Sequence, residues 1–138
     1  MKKIFLTGAS SGIGRAIAEL LCAHGHQVWG TSRDPQRLPS MANFHPAALD
    51  LSDPDSITEG FRNALSEAGT FDVVINNAGS GHFGPGEHLT QEQLIAQFQL
   101  VVFGQIQILR LALTEMEKPE KGLVINVTSL ASRLPVPY

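Results

Sequence analysis

The chain has 138 residues, one cysteine and a formal net charge of −3. That length suits about one domain with a real core. Scattered lysines and arginines on a slightly acidic chain argue against a nucleic-acid face or an anionic membrane surface. Cys22, the lone thiol, excludes an internal disulfide and fits a reducing, cytoplasmic setting; its place in a helical pattern suits a small buried hydrophobe. Met1-Lys2-Lys3 passes straight into an apolar run, so no signal peptide is expected, nor any apolar stretch able to span a bilayer.

Ile4, Phe5 and Leu6 form a short unalternated run, as in a parallel strand buried on both faces. The run enters Thr7-Gly8-Ala9-Ser10-Ser11-Gly12-Ile13-Gly14. Beyond, Ile13, Ile17, Leu20 and Leu21 fall on one helical face, and Gly25 supplies a stop. The glycines therefore stand at a strand-to-helix junction. The first N–H groups of a helix lack partners within it and carry partial positive charge, so a phosphate fits there. Gly8 permits backbone angles closed to other residues, Gly12 removes a side chain where a pyrophosphate would press, and Gly14 lets helix and strand approach. The spacing Gly8-x-x-x-Gly12-x-Gly14 departs from the commoner G-x-G-x-x-G fingerprint.

Residues 27–31 form the second expected strand, carrying Val28 and Trp29. In a dinucleotide site, an acid roughly 20 positions past the glycines binds the ribose 2′-OH, whereas a base accommodates a 2′-phosphate. Ser32-Arg33 stands there and favours NADP, while Asp34 keeps NAD as the alternative. Asp34 and Pro35 open a helix of one turn at most before Pro39. Residues 43–49 form a weaker strand, since Pro46 is tolerated chiefly at a sheet edge. Ser52-Asp53-Pro54-Asp55 opens the next helix, with Ile57, Phe61, Ala64 and Leu65 inward and Gly69 closing it.

A fourth strand, 71–75, runs into Asn76-Asn77-Ala78-Gly79, where asparagine amides suit bridging strand ends or contacting a ribose. The glycine-rich stretch from Ser80 to Leu89 holds His82 and His88; these, with His24, His26 and His45, have no metal-like spacing. Thr90-Gln91-Glu92-Gln93 is a capping box opening a helix to about Lys118, on the order of 40 Å at ~1.5 Å per residue. Leu94, Phe98, Val101, Val102, Leu109, Ala112, Leu113 and Met116 give it a broad apolar face, widened by Ile106 and Ile108. Val124, Ile125 and Val127 mark a fifth strand before Ser129.

Four segments in order resemble the short-chain dehydrogenase/reductase family. These are Thr7 to Gly14 (T-G-x-x-x-G-x-G), Asp50-Leu51, Asn76-Asn77-Ala78-Gly79, and the strand Gly122 to Thr128 ending at Ser129. The resemblance implies a Rossmann-type α/β fold: a doubly wound parallel sheet of about five strands in the order 3-2-1-4-5. It also implies hydride transfer between nicotinamide and a carbonyl or hydroxyl carbon of a small molecule. By the same resemblance, Thr7, Gly8, Ser10, Ser11, Gly12, Ile13 and Gly14 would hold pyrophosphate, and Ser32 and Arg33 the adenosine ribose. Asp50 and Leu51 would meet adenine, Asn77, Ala78 and Gly79 the ribose, and Ser129 would be the catalytic serine. The helix over 91–118 would contribute to a dimer interface.

Two departures stand out. Val101 occupies the place of the family's helix asparagine, which helps hold a catalytic water. The family's Tyr-x-x-x-Lys pair falls beyond Tyr138, which lacks a lysine four residues on and is assigned to a substrate-side loop. The chain is thus expected to be a truncated, cofactor-binding portion, inactive alone, with the C-terminal part of the fold missing. Its uncovered last strand would make it self-associate or need the missing portion. The alternative is a non-catalytic dinucleotide-binding or interaction protein of the same fold.

Overall fold

The computed structural model describes residues 1–81, 84–116 and 121–133. Five parallel strands form one sheet in the order β3-β2-β1-β4-β5. They are β1 (Lys3–Leu6), β2 (Gln27–Ser32), β3 (Phe44–Ala48), β4 (Val73–Asn76) and β5 (Leu123–Asn126). The helices are α1 (Gly12–Ala23), α2 (Pro54–Ala68), α3 (Gln91–Phe98) and α4 (Gly104–Met116). Because parallel neighbours need crossovers, each strand exchange carries a helix or loop over a face of the sheet. The doubly wound layering expected from the sequence follows.

Side-chain alternation divides the core between the faces. Phe5, Trp29 and Val74 point toward α2 and α4, joining Ile57, Phe61, Phe71, Ile108 and Met116 in one cluster. Ile4, Leu6, Val28 and Ile75 point the other way, toward Ala18 and Cys22 of α1. Phe5 meets Phe61 edge-on with ring centroids 5.0 Å apart, a favoured aromatic geometry. Asp53 caps α2 by accepting from Asp55 N, Pro54 occupies its first turn, and Gly69 ends it at φ 76°. Pro46 lies in the outer strand β3, as its missing donor requires.

Two helical faces differ from expectation. On α1 the buried stripe is Gly14, Ala18 and Cys22, flanked by partly buried Ile17 and Leu21; Ile13 and Leu20 are 66% and 60% exposed. Small residues one turn apart bring the helix close to the strands, which the larger side chains would prevent. The expected long helix runs from Gln91 to Met116 but is broken by a π-turn at Gln99–Phe103. Its buried stripe is Gly104, Ile108, Ala112 and Met116, while Leu94, Phe98, Ile106 and Leu113 are exposed. These 26 residues are long and apolar enough to cross a membrane by length and composition, contrary to the sequence expectation. In this fold, however, the α4 half is seated in the core through Ile108 and Ala112.

Candidate functional site

The loops that leave the C-terminal ends of β1, β2, β3 and β4 converge on one open cavity of about 420 Å³. It opens where the strand order reverses, β1 leading outward to β2 on one side and β4 to β5 on the other. In open α/β sheets that crevice is where ligands bind. Among the residues named from the sequence, Gly8, Ser10, Ser11, Gly12, Ile13, Gly14, Ser32, Arg33, Asp50, Leu51, Asn77, Ala78 and Gly79 line it. Thr7 and Ser129 do not.

The glycine turn is shaped by what lies behind it. Gly8 has φ 72°, and a Cβ there would press on Ala78 at 2.8 Å. A Cβ on Gly14 would overlap Gly8 O and the Asn77 amide nitrogen. Thr7 is fully buried, and its Oγ1 accepts from the N–H groups of Asn77 and Ala78, both at 3.0 Å. It clamps the β1 turn to the β4 turn from behind the wall. Asn77 completes the clamp by donating its Nδ2 to Thr7 O at 3.0 Å and Gly8 O at 3.2 Å. Asn76 instead bridges the strands, donating to Asn126 Oδ1 at 2.9 Å. Both asparagines therefore hold strand ends together, and Asn77 also lines the cavity.

The amino end of α1 contrasts with those of the other long helices. Asp53 caps α2, and Thr90 with Gln93 forms a full capping box on α3. On α1, Ser11 makes no side-chain cap bond and the first turn has no acid. A helix terminus left that way keeps its donors and partial positive charge for an anion. A Cβ on Gly12 would meet no protein atom within 4 Å, so the space beside this turn is open.

Around the rim, Asp50 is held by Ser52, whose N–H and hydroxyl donate to Oδ1 at 2.9 and 2.6 Å. Asp34 caps the short turn Pro35–Arg37 by accepting from Gln36 N at 3.1 Å. Sequence reasoning missed Thr31, Arg37, Leu49, Ser80 and Leu100 as lining residues. Arg37 had a visible signal, since the Asp34-Pro35 start brackets it in a tight turn beside Arg33. Leu100, in the π-turn, had none. Two glutamines were also missed: Gln105 Nε2 donates to Ala78 O and Gln97 Nε2 to Ser80 O, both at 2.6 Å, tying down the loop after β4.

Ser129 caps a short turn after β5, its Oγ accepting from Ala131 N at 3.2 Å, and it is exposed. Val101 lies in the π-turn and brings no polar group there. His82 and Tyr138 lie outside the described residues, as does the end of the expected helix at Lys118.

A family model for short chain dehydrogenases matches residues 2–138. The chain belongs to that family. Among relatives, the chain is 35% identical to a 3-ketodihydrosphingosine reductase of Bacteroides thetaiotaomicron, covering 98% of this chain and 49% of the relative. A short-chain dehydrogenase from Streptomyces avermitilis superposes with a TM-score of 0.89 at 36% identity, covering 96% of this chain and 51% of that one. A metagenomic short-chain oxidoreductase in complex with NADP gives 0.90 at 33% identity, covering 98% and 64%. The chain thus spans about half the length of the first of these relatives.

Proposed function

We propose that this short-chain dehydrogenase chain forms the dinucleotide-holding part of an NADP-preferring oxidoreductase acting on a carbonyl or hydroxyl carbon of a small molecule in the cytoplasm. The observation that carries the reading is the uncapped amino end of α1 opening into a cavity at the strand-order reversal. NADP in the metagenomic relative supports the choice of dinucleotide. In this reading the turn from Gly8 to Gly14 receives the pyrophosphate through backbone N–H groups. Ser32 and Arg33 face the 2′-phosphate, and Asp50 with Leu51 borders the adenine. Asn77 to Gly79 backs the nicotinamide-side ribose.

When bound, the nicotinamide supplies or accepts the hydride. The protein's part is to fix the ring, exclude water and manage the proton at the substrate oxygen. Ser129 is the group we assign to hydrogen-bond that oxygen. The only tyrosine in the sequence is Tyr138, and no Tyr-x-x-x-Lys pair occurs within it. Proton transfer is therefore not assigned to any described side chain.

Isothermal titration tests the reading, with NADP expected to bind more tightly than NAD. Tighter NAD binding would defeat the assignment of Arg33. A second reading, a dinucleotide-binding protein without turnover, is favoured by Val101 in the place of a polar residue and by Ser129 standing outside the cavity. Carbonyl reduction by the purified 138-residue chain, followed as loss of NADPH absorbance, would exclude that second reading.

A further inference from the structure

Gln105 does not line the cavity, yet it holds a residue that does. Ala78 is gripped through both of its backbone groups. Its N–H donates to Thr7 Oγ1 at 3.0 Å, and its carbonyl oxygen accepts from Gln105 Nε2 at 2.6 Å. The first grip comes from the end of β1 and the second from α4, so this part of the wall is registered against the sheet and the helix layer at once.

The Gln105 amide is only half satisfied. Its Oε1 is buried, and among the described residues no donor reaches it. Turning the amide over would set Oε1 against Ala78 O, two acceptors face to face, so the donor must point at the loop. Buried polar atoms are paired in the great majority of folded proteins, and an exception calls for a cause. The helix beneath is firmly seated. Gly104, immediately before, is buried, and a Cβ there would press at 2.5 Å on the carbonyl oxygen of Leu51, another residue of the cavity wall. Ile108 and Ala112 continue the buried stripe. A side chain carried on such a helix is placed more sharply than one carried on a loop.

We infer that Gln105 is a positioning residue: from behind the cavity it sets the wall at Ala78 and Gly79, and with it the binding of the nicotinamide half of the dinucleotide. The unpaired Oε1 is the counterpart of that role, because the side chain stands where its donor serves the wall. The inference rests on the dinucleotide reading above, in which Asn77 to Gly79 backs the nicotinamide-side ribose.

Two probes separate the halves of the ligand: NADP, and adenosine 2′,5′-bisphosphate, which lacks the nicotinamide half, each titrated calorimetrically into the 138-residue chain. The unaltered chain is expected to bind NADP more tightly than the bisphosphate. Gln105→Met, similar in length but without a donor, should weaken NADP roughly 10-fold and leave the bisphosphate and the urea midpoint close to their unaltered values. Gln105→Glu presents an acceptor to Ala78 O when ionised and a donor when protonated. Its NADP deficit relative to the unaltered chain should therefore shrink as pH is lowered from about 8 to about 5. If the unaltered chain binds NADP no more tightly than the bisphosphate, the dinucleotide reading fails and takes this inference with it. If the difference exists but survives Gln105→Met, the inference alone is overturned. Equal weakening of both probes, or a Gln105→Glu deficit that does not change with pH, would also overturn it, leaving Gln105 a structural side chain without a directed role.

Discussion

Gly12 and Gly14 stand two residues apart and are sensitive for different reasons. At Gly14 an added methyl would strike Gly8 O and the Asn77 amide. Gly14→Ala is expected to cost about 2 kcal/mol of stability in urea unfolding and to abolish dinucleotide binding, because the clamp must open. At Gly12 the space is free and the cost is backbone strain at φ 53°. Gly12→Ala should lose only about 1 kcal/mol. Its effect on dinucleotide titration should be larger than its effect on unfolding, since the methyl enters the ligand's space. Thr7 supplies a third case. Thr7→Val keeps the shape but leaves the N–H groups of Asn77 and Ala78 without their acceptor, a loss of roughly 1–3 kcal/mol measurable in the same unfolding assay.

At the scale of elements, β1 and β4 are pinned at their starts as well as their ends. Asp72 accepts from Lys3 N at 2.8 Å and pairs with Lys2 at 3.5 Å. The backbone hydrogen bond from Lys3, aided by the charge of Lys2, holds the Asp72 carboxyl below the ordinary carboxylate range. A folded-state value below the unfolded one contributes stability above the unfolded value, and that contribution is lost as pH falls through the folded one. Asp72→Asn should therefore be less stable than the parent at about pH 7, with the difference closing as pH falls below the ordinary carboxylate range, as read from urea midpoints.

Cys22 shows the opposite sense: burial in α1 pushes its thiol up. Disulfide reagents should modify it slowly until the chain is unfolded. The π-turn between α3 and α4 has its own structural consequence, because Gly104 follows it directly and a Cβ there would press on Leu51 O at 2.5 Å. The turn's residue Leu100 reaches the cavity from the same place.

On the scale of the whole sheet and its helices, apolar side chains are exposed in two places among the described residues. Phe98, Ile106 and Leu113 of α3 and α4 are about half exposed, at 53%, 48% and 49%. On β5, the register places Leu123 and Ile125 opposite Val73 and Ile75, on the α1 side, with exposures of 52% and 40%. Surfaces of this kind favour association. Sedimentation of the chain is expected to show concentration-dependent oligomers. Phe98→Glu with Leu113→Glu should shift them toward monomer if the helices form the contact, and Ile125→Thr should do so if β5 does. A monodisperse monomer at all concentrations would contradict self-association.

Local rules carried much of this architecture. Caps and breakers such as Asp53, Pro54, Gly69 and Thr90 act on neighbours a few residues away, so helix starts and the one-turn element at Asp34 were legible. The apolar runs and glycine spacing likewise revealed the β1–turn–α1 junction, and with it most of the cavity wall. Other features arise only from long-range closure. Gly14 and Ala18 face inward instead of Ile13 and Leu20 because α1 must lie close to a particular pair of strand ends. Thr7 becomes a clamp because β4, some 70 residues later, delivers two N–H groups to it. The sequence by itself determined the elements and the chemistry available at the turn; tertiary structure decided which side chains face the cavity and which are used up holding its walls. Hydrogen-bond and packing partners distant along the chain become neighbours only once the sheet has formed.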